Sequence, residues 1–186
     1  MTTACLYFQV HQPFRLRRFN VFDIGKSTAY FDTRKNASIL ERVATKCYLP
    51  MNALLSRAIA RYGARMKVSF SFSGTVLEQF EKHMPEVLSS FQELVKTGSV
   101  EVLGETYYHS LASIHDVKEF DEQVYEHSKK IRSLFGVTPR VFRNTELIYD
   151  NALAAHVSQL GFAGMLAEGA DRVLQGRSPG EAYRAK

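Results

Sequence analysis

The sequence predicts an α/β fold, a parallel sheet with helical crossovers. Three observations carry that expectation. Five short runs of β-forming residues each give way to a segment with helical periodicity, the alternation of strand–helix–strand units. No low-complexity segment or long linker interrupts the units. Over 186 residues, 45% hydrophobic and 23% charged, the composition suits one soluble domain with a sizeable core.

The first strand is read from Ala4 to Val10 (ACLYFQV). It should stop at His11-Gln12-Pro13, because Pro13 cannot donate to a ladder. A polar and aromatic stretch runs from Phe14 to Asn36, a length that usually marks a functional or disordered loop. Helical periodicity covers Ala37 to Tyr62, with a break expected at Pro50 and a stop at Gly63. The second strand, Lys67 to Phe72 (KVSFSF), alternates large apolar with small polar residues and ends at Ser73-Gly74. Helices follow over Thr75–His83 and Pro85–Lys96, with Pro85 in a favoured first-turn position.

The third strand, Ser99 to Glu105, leads into Thr106-Tyr107-Tyr108-His109. Asp116 and Glu119 form a capping-box pattern for a helix whose stripe is Val117, Phe120, Val124, Ile131, Leu134 and Phe135, closed by Gly136. The fourth strand, Pro139 to Thr145, meets Glu146, and Asp150 caps the next helix, which ends before Gly161. The fifth strand, Phe162 to Ala167, runs into Glu168-Gly169-Ala170-Asp171. A doubly wound open sheet and a barrel both fit this pattern. No glycine-rich phosphate loop follows any strand, which weighs against a nucleotide-binding version.

The charge excess is modest: 24 Lys and Arg against 19 Asp and Glu give +5. The densest basic cluster, Arg15, Arg17 and Arg18, reads as a solvated loop, so no nucleic-acid partner is called for. No stretch approaches the roughly 18 apolar residues of a membrane span, and no secretory signal pattern opens the chain. Cys5 and Cys47 form neither a metal spacing nor a disulfide framework. Cys5 is expected in the core, and a reducing, cytoplasmic location fits.

Almost every strand discharges into reactive residues: His11 and Gln12, Ser71 and Ser73, Glu105 and His109, Glu146, then Glu168 and Asp171. Parallel strands bring such residues to one face, where barrel enzymes assemble their sites. Tyr107, Tyr108 and Tyr149 lie in the same segments and offer flat faces for sugar rings. No strained Ser or Cys elbow appears, so acyl transfer is unsupported. Paired carboxylates among aromatics suit glycosidic cleavage, in which one attacks the anomeric carbon and the other assists the leaving oxygen.

Four ordered segments then become specific: His11-Gln12-Pro13, Glu101-Val-Leu-Gly-Glu-Thr-Tyr-Tyr-His109, Phe142-Arg-Asn-Thr-Glu-Leu-Ile-Tyr149, and Glu168-Gly-Ala-Asp-Arg-Val-Leu-Gln-Gly-Arg-Ser-Pro179. Together they resemble the motifs of glycoside hydrolase family 57, the last being similar to its α-amylase-like members. The resemblance implies a seven-stranded (β/α) barrel of the TIM-like type, with about five β/α units present in residues 1–186, and retaining action on an α-1,4-glucan or maltooligosaccharide. It implies Glu146 as nucleophile. The candidate substrate-binding residues are His11, Gln12, Glu105, His109 and Asp171, with no metal and no cofactor.

The family's acid/base aspartate lies on a later strand, so the chain reads as an N-terminal portion that stops before it. Glucanotransfer or branching are alternative outcomes of the same chemistry. A metal-dependent, deacetylase-like site using His11, His109 and His115 is a different class, and a sugar-binding fragment without chemistry is another.

Overall fold

The computed structural model describes residues 4–184. Three parallel strands, β1 (Leu6–Val10), β2 (Val68–Phe72) and β3 (Val100–Leu103), pair in chain order. Strands β4 (Val141–Arg143) and β5 (Gly164–Leu166) form a second parallel pair. A bridge between Gly104 and Phe142 joins the two sheets. There the Gly104 amide donates to the Val141 carbonyl at 2.8 Å and the Arg143 amide to the Gly104 carbonyl at 2.7 Å. The order is sequential. A doubly wound sheet reverses direction at a switch point, and the described strands do not.

Each strand is shorter than its apolar run, because ladder bonds form only where a neighbour overlaps. Cys5 therefore lies before the ladder and is exposed, which corrects its expected place in the core. Side chains alternate across a strand, and the alternation sorts the sheet's faces. Val68, Phe70 and Phe72 of β2 are buried in the main core, with Phe91 and Phe80 from the covering helices. Phe72 and Phe91 meet edge-on at 4.9 Å between ring centroids, a favoured geometry for aromatic pairs. A smaller cluster of Phe120, Val124, Phe142, Leu153 and Val157 covers β4.

Helix α1 (Thr33–Val43) starts on an Asp32 cap and runs through a π-turn, Ala44–Tyr48, into α2 (Leu49–Tyr62). The expected break at Pro50 does not occur. Proline lacks an N–H and crowds the carbonyl four residues back, and the wider π-turn lies where that conflict would fall. Helices α3 (Gly74–His83) and α4 (Pro85–Lys96) match their sequence patterns. A short α5 (Ala112–His115) precedes α6 (Val117–Phe135). Asp116 caps α6 by accepting from Lys118 and Glu119, and Gly136 closes it in the left-handed region. Only half of the capping box forms, since the Glu119 carboxylate accepts from Gln123 instead. Helix α7 (Asn151–Gln159) is capped by Asp150, and a short α8 (Asp171–Leu174) follows β5.

The 14–36 stretch carries structure of its own. Leu16 and Phe31 form an antiparallel bridge, and Asn20 and Asp23 make a reciprocal capping box around one 3-10 turn.

Candidate active site

The face of the sheet opposite the main core is polar and is filled by residues two apart. Tyr7, Gln9 and His11 leave β1 on that side, and Ser71 and Ser73 leave β2. Serine there makes room. Tyr7 shares a hydrogen bond with Ser71 at 2.8 Å, and His11 Nδ1 lies 2.7 Å from Ser73 Oγ. Glu105 follows β3, Arg143 ends β4, and both are buried. The Gln9 side-chain oxygen Oε1 accepts from Arg143 Nη2 at 3.1 Å.

Glu105 is fully buried, and neither carboxylate oxygen has a hydrogen-bond partner among the described residues. Its nearest charges are Arg143 Nη1 at 4.0 Å and His109 Nδ1 at 3.6 Å. A buried carboxylate needs such compensation, because desolvating an isolated charge costs several kcal/mol.

Glu146 is arranged differently. Its side chain is 74% exposed, and Oε1 lies 3.3 Å from His109 Nε2. Glu146 and Leu147 both have left-handed backbones, with φ of 54° and 58°. Non-glycine residues avoid that region at a cost of about 1–3 kcal/mol. The strained turn presents the carboxylate directly after β4.

The His11 and His109 rings lie 4.4 Å apart, and their proton affinities move in opposite directions. Burial, then the neighbouring His109, pulls the His11 pKa below its usual value. The contact with the Glu105 carboxylate, 3.6 Å away, leads the causes that push His109 up, against an opposing effect of burial.

The structure thus brings together His11, Glu105, His109 and Glu146. Gln12 lies beside this group, but its side-chain oxygen accepts from Arg15 at 2.8 Å and its carbonyl from Gln79. Asp171 is exposed at the start of α8 and makes no hydrogen bond or ion pair with the cluster. Tyr107 is buried with its hydroxyl donated to Glu78, so it offers no open face. Tyr108 is 53% exposed and does. Arg143, within the motif that carries Glu146, faces Glu105 rather than Glu146.

Two contributors escaped the sequence reading. Gln9 carries no motif signal beyond its place on the polar side of a strand. His127 lies in the apolar stripe of α6 and is fully buried. Its Nε2 donates to the Phe72 carbonyl at 2.7 Å, and its Nδ1 accepts from the Glu105 amide at 3.5 Å. It ties the ends of β2 and β3 together. Among the described residues, no three His, Cys, Asp or Glu side chains are grouped to hold a metal ion.

Carboxylates and histidines gathered at the carboxyl ends of parallel strands, with no nucleotide loop among them, define an α/β protein with a polar strand-end site. The particular family follows from comparison: the chain belongs to glycosyl hydrolase family 57, whose family model matches residues 5–186. A Methanocaldococcus jannaschii protein named "Putative alpha-amylase" is 40% identical over 181 residues, 96% of this chain and 38% of that protein. The 4-alpha-glucanotransferase of Thermococcus litoralis superposes with a TM-score of 0.70 at 20% identity, over 94% of this chain and 24% of that one. An alpha-amylase of Thermotoga maritima gives 0.57 at 11% identity, over 87% and 38%. At those identities the two solved structures speak for the fold alone. The chain spans well under half the length of each of these relatives.

Proposed function

We propose that this chain carries the nucleophile of a retaining glycoside hydrolase acting on α-1,4-glucans, and that the nucleophile is Glu146. The observation that supports it most is the exposed Glu146 carboxylate, held in a strained turn at the end of β4 against His109. In this mechanism the carboxylate attacks the anomeric carbon and the glycosidic bond breaks. A protonated second carboxyl delivers its proton to the leaving oxygen, and water later releases the covalent sugar. The route calls for no metal ion or cofactor.

His11 keeps Nε2 for a substrate hydroxyl while Nδ1 is held by Ser73. Glu105, buried between His109 and Arg143, holds the site together rather than protonating a leaving group. We assign the acid/base to a carboxyl that residues 1–186 do not supply, which agrees with the greater length of the relatives. The sequential strand order supports reading these strands as part of a seven-stranded (β/α) barrel with its mouth at their carboxyl ends. Gln12 and Asp171 would then lie toward the rim.

The test is covalent trapping. A fluorinated maltosyl fluoride forms the glycosyl-enzyme without acid assistance and loses it slowly. Intact-mass measurement should show one added fluorinated maltosyl group, mapped to Glu146, and none on Glu146→Gln. A label on another residue, or undiminished labelling of the Gln variant, overturns the assignment. Adding acceptor sugars to the trapped protein separates hydrolysis from transfer or branching, because transfer yields longer oligosaccharides.

A further inference from the structure

Among the described residues, His109 is the side chain that meets both carboxylates of the site. Its Nε2 lies 3.3 Å from Glu146 Oε1 and its Nδ1 3.6 Å from Glu105 Oε2. An imidazole carries N–H on both nitrogens only when protonated, and a neutral ring would turn a lone pair toward one carboxylate. The Gln9 amide nitrogen lies 3.3 and 3.5 Å from the two ring nitrogens. That near-equal placement aligns with neither lone pair, so it does not favour the neutral ring. The backbone is left-handed on both sides of the contact, with φ of 55° at His109 and 54° at Glu146.

We propose that His109, as an imidazolium, is a positioning residue that braces the exposed Glu146 carboxylate against the buried Glu105. The consequence for catalysis rests on reading Glu146 as the nucleophile; the brace itself does not. The groups facing the ring are Glu105 after β3, Glu146 after β4, Arg143 on β4 and His11 stacked beside it. The carboxylates prevail over the cations, and His109 is pushed up, first by its contact with Glu105. The stacked pair divides the work: His109 holds the proton, and His11 stays neutral with Nε2 available to a sugar. Neighbouring groups whose proton affinities are driven apart are how sites assign such roles. The brace needs the imidazolium together with ionised carboxylates, and on the alkaline side it is lost as pH rises through the raised His109 pKa.

Imidazole titration by NMR on the 186-residue chain tests the brace, with His109 identified by the signal missing from His109→Gln. His109 should titrate above the usual histidine value and shift downward in Glu146→Gln, a change at an exposed residue that leaves the core untouched. An unmoved titration in Glu146→Gln overturns the proposal. Trapping rates with the fluorinated maltosyl fluoride test the consequence. Wild type should slow as pH rises past the His109 pKa. His109→Gln should trap about tenfold more slowly, the weight of one charge-assisted hydrogen bond, and should lose that pH limb. Equal rates with the same limb in His109→Gln also overturn the proposal. A shifted titration without any trapping supports the brace and rejects Glu146 as nucleophile.

Discussion

His127 shows how one buried side chain supports a site it never enters. Burial holds its pKa below the usual histidine value, so the folded ring is neutral, donating to Phe72 and accepting from the Glu105 amide. Above the unfolded pKa the ring is neutral in both states, and its full contribution to stability is present. As pH falls from about 7 toward 5, the unfolded chain takes a proton that the folded chain refuses, and stability is lost. Urea midpoints measured across that window should therefore fall with acidification. His127→Leu should be less stable at neutral pH by about 2–4 kcal/mol, because a buried carbonyl and amide lose their partner. Its acid slope should also be shallower, though not flat, since His11 is lowered in the same sense. An unchanged slope would mean that the ring is not buried neutral.

At the scale of elements, the junction between β3 and β4 decides whether the strand leading to Glu146, the proposed nucleophile, is registered with the strand that carries Glu105. That junction is a single bridge, Gly104 to Phe142. A Cβ on Gly104 would come within 2.6 Å of Phe162 Cε1 and 3.4 Å of Phe142 Cδ2. The Phe162 ring packs on Phe142 at 5.1 Å, so the intruding methyl must push one ring out of the smaller core. Gly104→Ala should cost about 1–3 kcal/mol, as overpacked sites do, and should slow trapping at Glu146. Thermal unfolding provides the check, and a variant as stable as the parent would show that the rings yield freely. The local signals for these elements were plain in the sequence: Asp116, Asp150, Gly136 and Gly161 end or begin helices where expected. Pro50 misled, because a π-turn depends on how the whole helix lies on the core and not on the proline alone.

For the whole molecule, the prediction concerns which half of the chemistry residues 1–186 contain. Retaining cleavage needs two carboxyl groups roughly 5–5.5 Å apart, one attacking and one protonating. Glu146 is open to a substrate, while Glu105, the carboxylate that shares His109 with it, is sealed from solvent beside Arg143. Unactivated maltooligosaccharides should therefore not be turned over by this chain, even where the activated fluoride labels Glu146. Chromatography of maltooligosaccharide digests, with Glu146→Gln as control, makes the comparison. Robust cleavage that depends on Glu146 would show that a carboxyl within these residues protonates the leaving oxygen.

Strand-end placement of His11, Glu105, His109 and Glu146 could be read from the chain alone, because strand periodicity, turn residues and helix caps are local properties of neighbouring residues. The ordered motifs around them identified the family for the same reason: each is a short run of sequence. The interior of the site could not be read that way. Gln9 and Arg143 are 134 residues apart and His127 and Phe72 are 55, and no local pattern links such partners. Glu105 and Glu146 are the same residue type, each following a strand. Packing alone seals one between Arg143 and His109 and leaves the other exposed. That difference in solvation is what the proposed roles of Glu105 and Glu146 rest on, because a charge's reactivity follows the water and counter-charges around it.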